Sequence, residues 1–193
     1  MAKKTASKKS SAKKRTTGKR GYSVRTKNPV HTPVHMRGFY RVQITEDKNG
    51  KETIVGDSGW KENQVTNIGI RDYLVNHLLG DTGNRTNVTH MALGTGGAPA
   101  SNDTSLSGEL THAANDRKTV STSVVSSRTA QFTAAFNSVD SFLTATANIS
   151  NIGLFATSTT AAGTLFAGNT YASSAVATNQ NVNATYQIRF ASA

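Results

Sequence analysis

The sequence of 193 residues contains no cysteine, and this absence excludes several kinds of chemistry. Without cysteine there are no disulfides, no thiolate nucleophile and no zinc site built from thiolates. No apolar run approaches the roughly 18 residues of a membrane-spanning helix, and the start of the chain lacks the apolar core of a signal peptide. We therefore expect a protein of a soluble compartment without a membrane partner.

Acidic residues are missing from the first 27 positions, where the positive charge is concentrated. The chain has 22 Lys and Arg against 11 Asp and Glu, a net charge of +11. Half of the cations precede residue 28, and the other half is matched in number by the acids, so residues 28–193 are formally neutral. The cations of the basic segment are Lys3, Lys4, Lys8, Lys9, Lys13, Lys14, Arg15, Lys19, Arg20, Arg25 and Lys27.

Large apolar side chains are also scarce in this segment, which consists mainly of Lys, Ser, Thr, Ala and Gly. Burial of so little apolar surface cannot offset the entropy lost on ordering, so residues 1–27 are predicted to be a disordered basic arm. Eleven unopposed cations indicate binding to polyanions, above all nucleic acid, without reading its base sequence. A solubility tail is the alternative interpretation.

Proline occurs only three times, and two of the three lie in "NPVHTPVHMR", residues 28–37. This composition predicts an extended linker between the arm and the body of the protein, residues 38–193. His31 and His35 have the spacing of metal ligands on a helix, but Pro33 between them excludes a helix. We interpret both histidines as spacer residues.

The body shows the alternation typical of β-strands. Residues 38–57 combine alternating apolar residues with an Asn49-Gly50 turn, which predicts a hairpin. Beyond Gly80, six short runs rich in Val, Thr, Ile, Phe and Tyr are separated by turn residues. Together they amount to about eight strands. We expect a mainly β fold, an antiparallel β-sandwich of jelly-roll type that carries one helix.

That helix is predicted over residues 67–79, where apolar residues recur at helical spacing. Asn67 is suited to cap its start, and Gly80 is suited to end it.

Two motifs resemble functional sites of known protein classes, but each lacks residues that such a site needs. "GDSGW", residues 56–60, resembles the surroundings of the nucleophile in trypsin-like serine proteases, but the match stops at Trp60 and the upstream histidines lie in the linker. We interpret it as a turn that closes the first hairpin. "LGTGGAP", residues 93–99, has Pro99 where a dinucleotide-binding loop needs its third glycine, so we interpret it as a glycine-rich turn.

The remaining candidates for metal binding or acid–base catalysis are spread along the sequence. His77, His90 and His112 have no second metal ligand at a recognisable interval, and no pair of carboxylates is suited to acid–base catalysis. The sequence therefore predicts no catalytic residue, no metal, no cofactor and no small-molecule substrate.

Several short segments in a fixed order resemble small virion proteins of tailed bacterial viruses, the head-decoration-like or tail-fibre-like β-sandwiches. The segments are "ALGTG" (92–96), "DTSLSGEL" (103–110), "IGLF" (152–155), "GTLFA" (163–167) and the terminal "NATYQIRF" (183–190). The resemblance implies a non-enzymatic component of a virus particle. It does not extend to the basic arm, which instead resembles the arms with which capsid proteins of small viruses reach the packaged genome.

These observations together predict a virion structural protein, a capsid or capsid-decoration subunit made in the host cytoplasm. Its expected partners are other copies of itself, a major capsid protein, and nucleic acid bound through the arm without sequence preference. The neutral strands after residue 118 are candidates for contacts between copies. The alternatives are a tail-fibre component and a cellular nucleic-acid-binding protein with a histone-like tail.

Overall fold

The structure is a computed structural model that describes residues 34–80, 83, 86–111, 117–160 and 162–192. In these ranges the chain forms ten strands, one longer helical segment and a single 3₁₀ turn (Ser138–Asp140), which confirms the mainly β fold with one helix. The strands are β1 (Val34–Lys48), β2 (Lys51–Asp57), β3 (Lys61–Val65), β4 (His90–Gly94), β5 (Lys118–Thr119), β6 (Ser121–Ser126), β7 (Thr129–Phe136), β8 (Ala147–Phe155), β9 (Ala167–Val176) and β10 (Gln180–Ser192).

All strand pairs are antiparallel, as expected for short strands joined by tight turns. The order across the sheet is β5-β4-β8-β9-β3-β1-β10-β7-β6, with β2 beside β1. The first and last strands of this order, β5 and β6, are separated in sequence only by Val120. The sheet therefore curls back on itself and is nearly closed in a barrel-like form around the larger of two apolar clusters.

The first hairpin forms as predicted. Asn49 and Gly50 have φ values of 59° and 77°, the left-handed conformation that a two-residue hairpin turn requires at both positions. Strand β2 pairs with the second half of β1, and β3 pairs with the first half. The prediction of a linker is wrong for residues 34–37, because β1 already begins at Val34, and residues 28–33 lie outside the described residues.

The helical segment runs through α1 (Asn67–Ile70), a π-helical turn (Arg71–Val75) and α2 (Asn76–Leu78). The expected cap is wrong by one residue: the Thr66 hydroxyl, not Asn67, accepts the hydrogen bond from Gly69 N at 2.8 Å. Thr66 is buried and also donates to the Leu165 carbonyl at 2.7 Å, so its cap is combined with a tertiary contact. Gly80, with φ of 68°, ends the segment as predicted.

The helix buries less of its apolar stripe than its spacing predicts. Its buried side chain is Tyr73, whose ring lies 4.9 Å from that of Phe166 and whose hydroxyl donates to Thr164 O at 2.6 Å. Leu78 and Leu79, at its C-terminal end, are 88% and 74% exposed.

The core contains three tyrosines close together. The ring of Tyr40 lies 6.1 Å from that of Tyr186 and 6.2 Å from that of Tyr171, between centroids. Burial raises the pKa of Tyr40 to about 12, and it raises the pKa of Tyr186 well above its ordinary value. The Tyr40 hydroxyl donates to Thr170 O, whereas the buried Tyr186 hydroxyl has no hydrogen-bond partner within the described ranges.

These two tyrosines should respond in opposite ways to loss of the hydroxyl. Tyr40→Phe leaves the Thr170 carbonyl without its partner and should lower the free energy of unfolding by about 1 kcal/mol. Tyr186→Phe removes a buried unpaired group and should leave stability unchanged or raise it by up to about 1 kcal/mol. Urea unfolding of the two variants beside the parent protein measures both. A larger loss for Tyr186→Phe than for Tyr40→Phe would contradict this account of the core.

Candidate anion-binding surface

The predicted polyanion-binding cations, from Lys3 to Lys27, all lie outside the residues that the structure describes. The basic arm therefore stays a prediction from sequence. His31 and His112 lie outside the described residues as well. The described part of the chain nevertheless contains a second group of cations, on the outer face of the sheet, that sequence analysis did not single out.

This group arises from the pairing of β1 with β10. Tyr40 and Tyr186 point into the core, so strand alternation puts Arg37 and Phe39 of β1 and Gln187 and Arg189 of β10 on the opposite, outer face. The register sets Arg37 directly opposite Arg189 and Phe39 opposite Gln187. The guanidinium of Arg189 lies 4.3 Å from the ring centroid of Phe39 and 6.0 Å from that of Trp60. We call Arg37, Phe39, Trp60, Gln187 and Arg189 the Arg189 surface.

Arg189 is held in position by neutral groups. Its Nε and Nη2 donate to Gln187 Oε1 at 3.1 and 2.6 Å. Gln187 is only 6% exposed, and its Nε2 donates in turn to Gln131 Oε1 at 2.7 Å. No carboxylate in the described part of the chain pairs with Arg189.

Four other arginines differ from Arg189 because each contacts a carboxylate: they are Arg37, Arg41, Arg71 and Arg117. The weakest of these contacts is Arg37 Nη1 to Glu62 Oε1, at 3.5 Å between side chains that are 67% and 72% exposed. Exposed pairs of this kind contribute little to stability.

Trp60 belongs to the "GDSGW" segment, in which Ser58 has a structural role. Ser58 N donates to Val42 O, and Ser58 Oγ accepts from Val42 N, both at 2.9 Å. The serine thus continues the pairing of β1 across the gap between β2 and β3. The predicted turn is real but its place was wrong, because Asn49-Gly50 closes the hairpin and Ser58–Trp60 connects β2 to β3.

Asp57, in the same segment, accepts hydrogen bonds from Arg41 and from Gly59 N. These bonds, the arginine's first, hold the pKa of its carboxyl group well below the ordinary value for aspartate.

The glycine-rich "LGTGGAP" segment also has a structural explanation. Thr95 N donates to Gly108 O and Gly96 N donates to Ser107 O, so these amides are bonded within the protein. A Cβ at residue 96 would lie 2.3 Å from the Ser107 carbonyl oxygen, too close for any residue but glycine. The segment is the turn that the sequence predicts.

The histidines of the described part are separate from one another. His35 is exposed on β1, His77 contacts Asn87 at 3.0 Å, and His90 lies on β4, where burial lowers its pKa. Among the described residues, no group of three His, Asp or Glu side chains is suited to hold a metal ion.

A buried ion pair is an electrostatic feature that the sequence did not predict. Arg117 Nε and Nη2 donate to the two carboxylate oxygens of Glu109 at 2.5 and 3.0 Å. The two side chains are 0% and 5% exposed. Arg117 Nη1 donates to Thr157 O and Ala162 O, and its guanidinium lies 3.6 Å from the ring centroid of Phe155. The pair ties two loops to β8, and its geometry indicates a structural role.

Comparison of the chain with protein-family models, with curated proteins and with solved structures finds no match. No helix of the described segments is long and apolar enough to cross a membrane. The resemblance to virion proteins therefore stays a hypothesis that depends on the sequence segments alone.

The buried ion pair generates a stability prediction. Arg117→Met leaves the Glu109 carboxylate buried without a partner and should lower the free energy of unfolding by about 3–5 kcal/mol. The double variant Arg117→Met, Glu109→Leu should recover most of this loss, because no charge stays buried. Arg71→Met, which breaks the exposed pair with Asp72, should cost less than about 1 kcal/mol. Equal losses for Arg117→Met and Arg71→Met in urea unfolding would refute the assignment.

Proposed function

We propose that this chain is a non-enzymatic virion structural protein, a capsid or capsid-decoration subunit. In this proposal the β body packs against other copies in a symmetric assembly, and the basic arm binds packaged nucleic acid or an acidic capsid neighbour. The observation that carries the proposal is the separation of charge between the arm and the body.

Ion pairs within the described body support this proposal. Six cations of the described body contact carboxylates: Arg37, Arg41, Lys48, Arg71, Arg117 and Lys118. The arm, by contrast, has eleven cations and no acid of its own, so it must find negative charge elsewhere.

Exposed apolar side chains support the assembly part of the proposal. Strand β6 stands at one end of the strand order, carries no charge, and exposes Val124 and Val125 to 81% and 55%. Edge strands of monomeric proteins are usually protected by charges or prolines, and β6 has neither. A partly apolar cavity of about 420 Å³ lies between the helix and β6, β7 and β10. Unprotected edges and apolar surface are typical of subunits that contact copies of themselves.

The combined charge of the arms in such an assembly would favour binding of nucleic acid. A closed shell of about 60 copies would bring about 660 arm cations together, enough to neutralise hundreds of phosphates without base specificity. Alternatively, many weak contacts of one arm with an acidic neighbour would fasten a decoration subunit.

The arm is tested by removing its charge without shortening the chain. With all eleven cations changed to glutamine, retention on double-stranded DNA at low salt should be lost. The parent protein should lose affinity with salt at a log–log slope of up to about −10 if every arm cation meets a phosphate. The melting temperature should stay within about 2 °C, because the arm has little apolar surface to bury.

A matched control keeps the charge and changes the residue type: Arg15, Arg20 and Arg25 replaced by lysine. It should bind as the parent does, since point charges suffice for contacts with phosphates. Undiminished retention of the glutamine variant would reject the electrostatic role of the arm.

The assembly part needs a separate measurement. Gel filtration and electron microscopy of the expressed protein should reveal large regular particles, alone or with its partner capsid protein. A monomer or dimer that binds nucleic acid and never enters a particle would favour the cellular nucleic-acid-binding protein instead.

A further inference from the structure

The pairing of β1 with β10 sets two arginines against each other at the Arg189 surface. Arg37 and Arg189 are cross-strand neighbours, and like charges in that position destabilise a sheet. Glu62 relieves this repulsion weakly, since its contact with Arg37 is long and exposed. An anion bound between the two guanidinium groups would remove the repulsion, which makes the pair a candidate site for a phosphate.

Contacts within the protein hold the guanidinium of Arg189 in place without a ligand. Phe39 lies under its guanidinium plane and Gln187 accepts from two of its nitrogens, whereas Nη1 makes no hydrogen bond with the described residues. A planar guanidinium binds a phosphate through two parallel N–H groups, and the restraint by Gln187 lowers the entropy lost on binding.

Trp60 adds an aromatic ring to this surface, and binding of a phosphate alone does not need one. Its side chain is 43% exposed and lies beside Arg189. Indole rings and guanidinium planes are the surfaces on which proteins stack unpaired bases. A ligand that uses both the arginine pair and Trp60 must combine phosphates with accessible flat bases. A duplex keeps its bases stacked inside, so the chemistry favours a single strand.

We propose that the Arg189 surface binds single-stranded nucleic acid, with a phosphate between Arg37 and Arg189 and a base stacked on Trp60. The inference rests on the nucleic-acid part of the proposed function and adds to it a site on the body and a preference for unpaired strands. Lys27 lies ten residues before Arg37 in the sequence, so the arm and this surface engage the same polymer and strengthen each other's binding.

Trp60 is the only tryptophan of the chain, so tryptophan fluorescence reports on this surface. Oligothymidylate of about 20 nucleotides, added to the full-length protein, should produce a saturable loss of Trp60 emission. A duplex of the same length, inorganic polyphosphate and poly-glutamate serve as comparison probes. The first two should bind through the arm and leave the emission nearly unchanged. Emission loss as strong with the duplex, or with poly-glutamate, would overturn the assignment of an unpaired strand.

Matched charge variants localise the effect. Arg189→Gln and Arg37→Gln should each weaken oligothymidylate binding at least about fivefold at ~0.2 M salt, where the contribution of the arm is reduced. Arg71→Gln removes the same charge from the helix and should change the affinity less than about twofold. Binding is followed by the anisotropy of a labelled oligonucleotide, and melting temperatures no lower than that of the parent protein establish that the variants are folded. Equal losses for Arg71→Gln and Arg189→Gln would reject the site.

The outcomes separate this inference from the proposed function. Oligothymidylate that binds tightly, as anisotropy shows, without altering Trp60 emission would refute the site and leave the arm's role standing. Absence of any binding to the parent protein would refute both this inference and the nucleic-acid part of the proposed function.

Discussion

The ladder between β1 and β10 is the constraint on which the rest of the structure depends. It joins the first and last strands of the described chain over the register from Val34–Ser192 to Glu46–Gln180. On its inner face it brings Tyr40 and Tyr186 into the core, and on its outer face it brings Arg37 to Arg189. A shift of β10 by one residue against β1 would turn Arg189 toward the core and Tyr186 toward solvent. Core stability and surface chemistry are therefore two consequences of one pairing.

Charge is used in two ways in this protein. The Glu109–Arg117 pair is buried, bidentate and surrounded by carbonyl oxygens and an aromatic ring, and it holds loops in place. The Arg189 surface is partly exposed, and its central guanidinium is restrained by amides instead of a carboxylate. The first arrangement neutralises charge within the protein, whereas the second leaves charge available to a ligand. A basic arm beside such a body is consistent with a subunit that binds a polyanion while its own core stays electrically balanced.

Sequence patterns predicted correctly those features that depend on the backbone preferences of neighbouring residues. The Asn49-Gly50 turn forms as predicted because both residues tolerate positive φ, and Gly80 ends the helix for the same reason. The cap was displaced to Thr66 because its hydroxyl also reaches the Leu165 carbonyl, a contact between residues far apart in the sequence. Strand β3 was missed because "KENQV" lacks alternation, and it is a strand because β1 and β9 pair with it on either side.

The sequence alone determined where the charge lies, that the body is mainly β with one helix, and which turns close its hairpin, because composition and local backbone preferences decide these properties. Only the tertiary structure decided that Glu109 and Arg117 form a buried pair against Phe155. It also decided that Arg37, Trp60 and Arg189 share one surface. These contacts depend on strand register and on close approach between distant segments, and a single strand's pattern of residues carries no information about which strand will lie beside it.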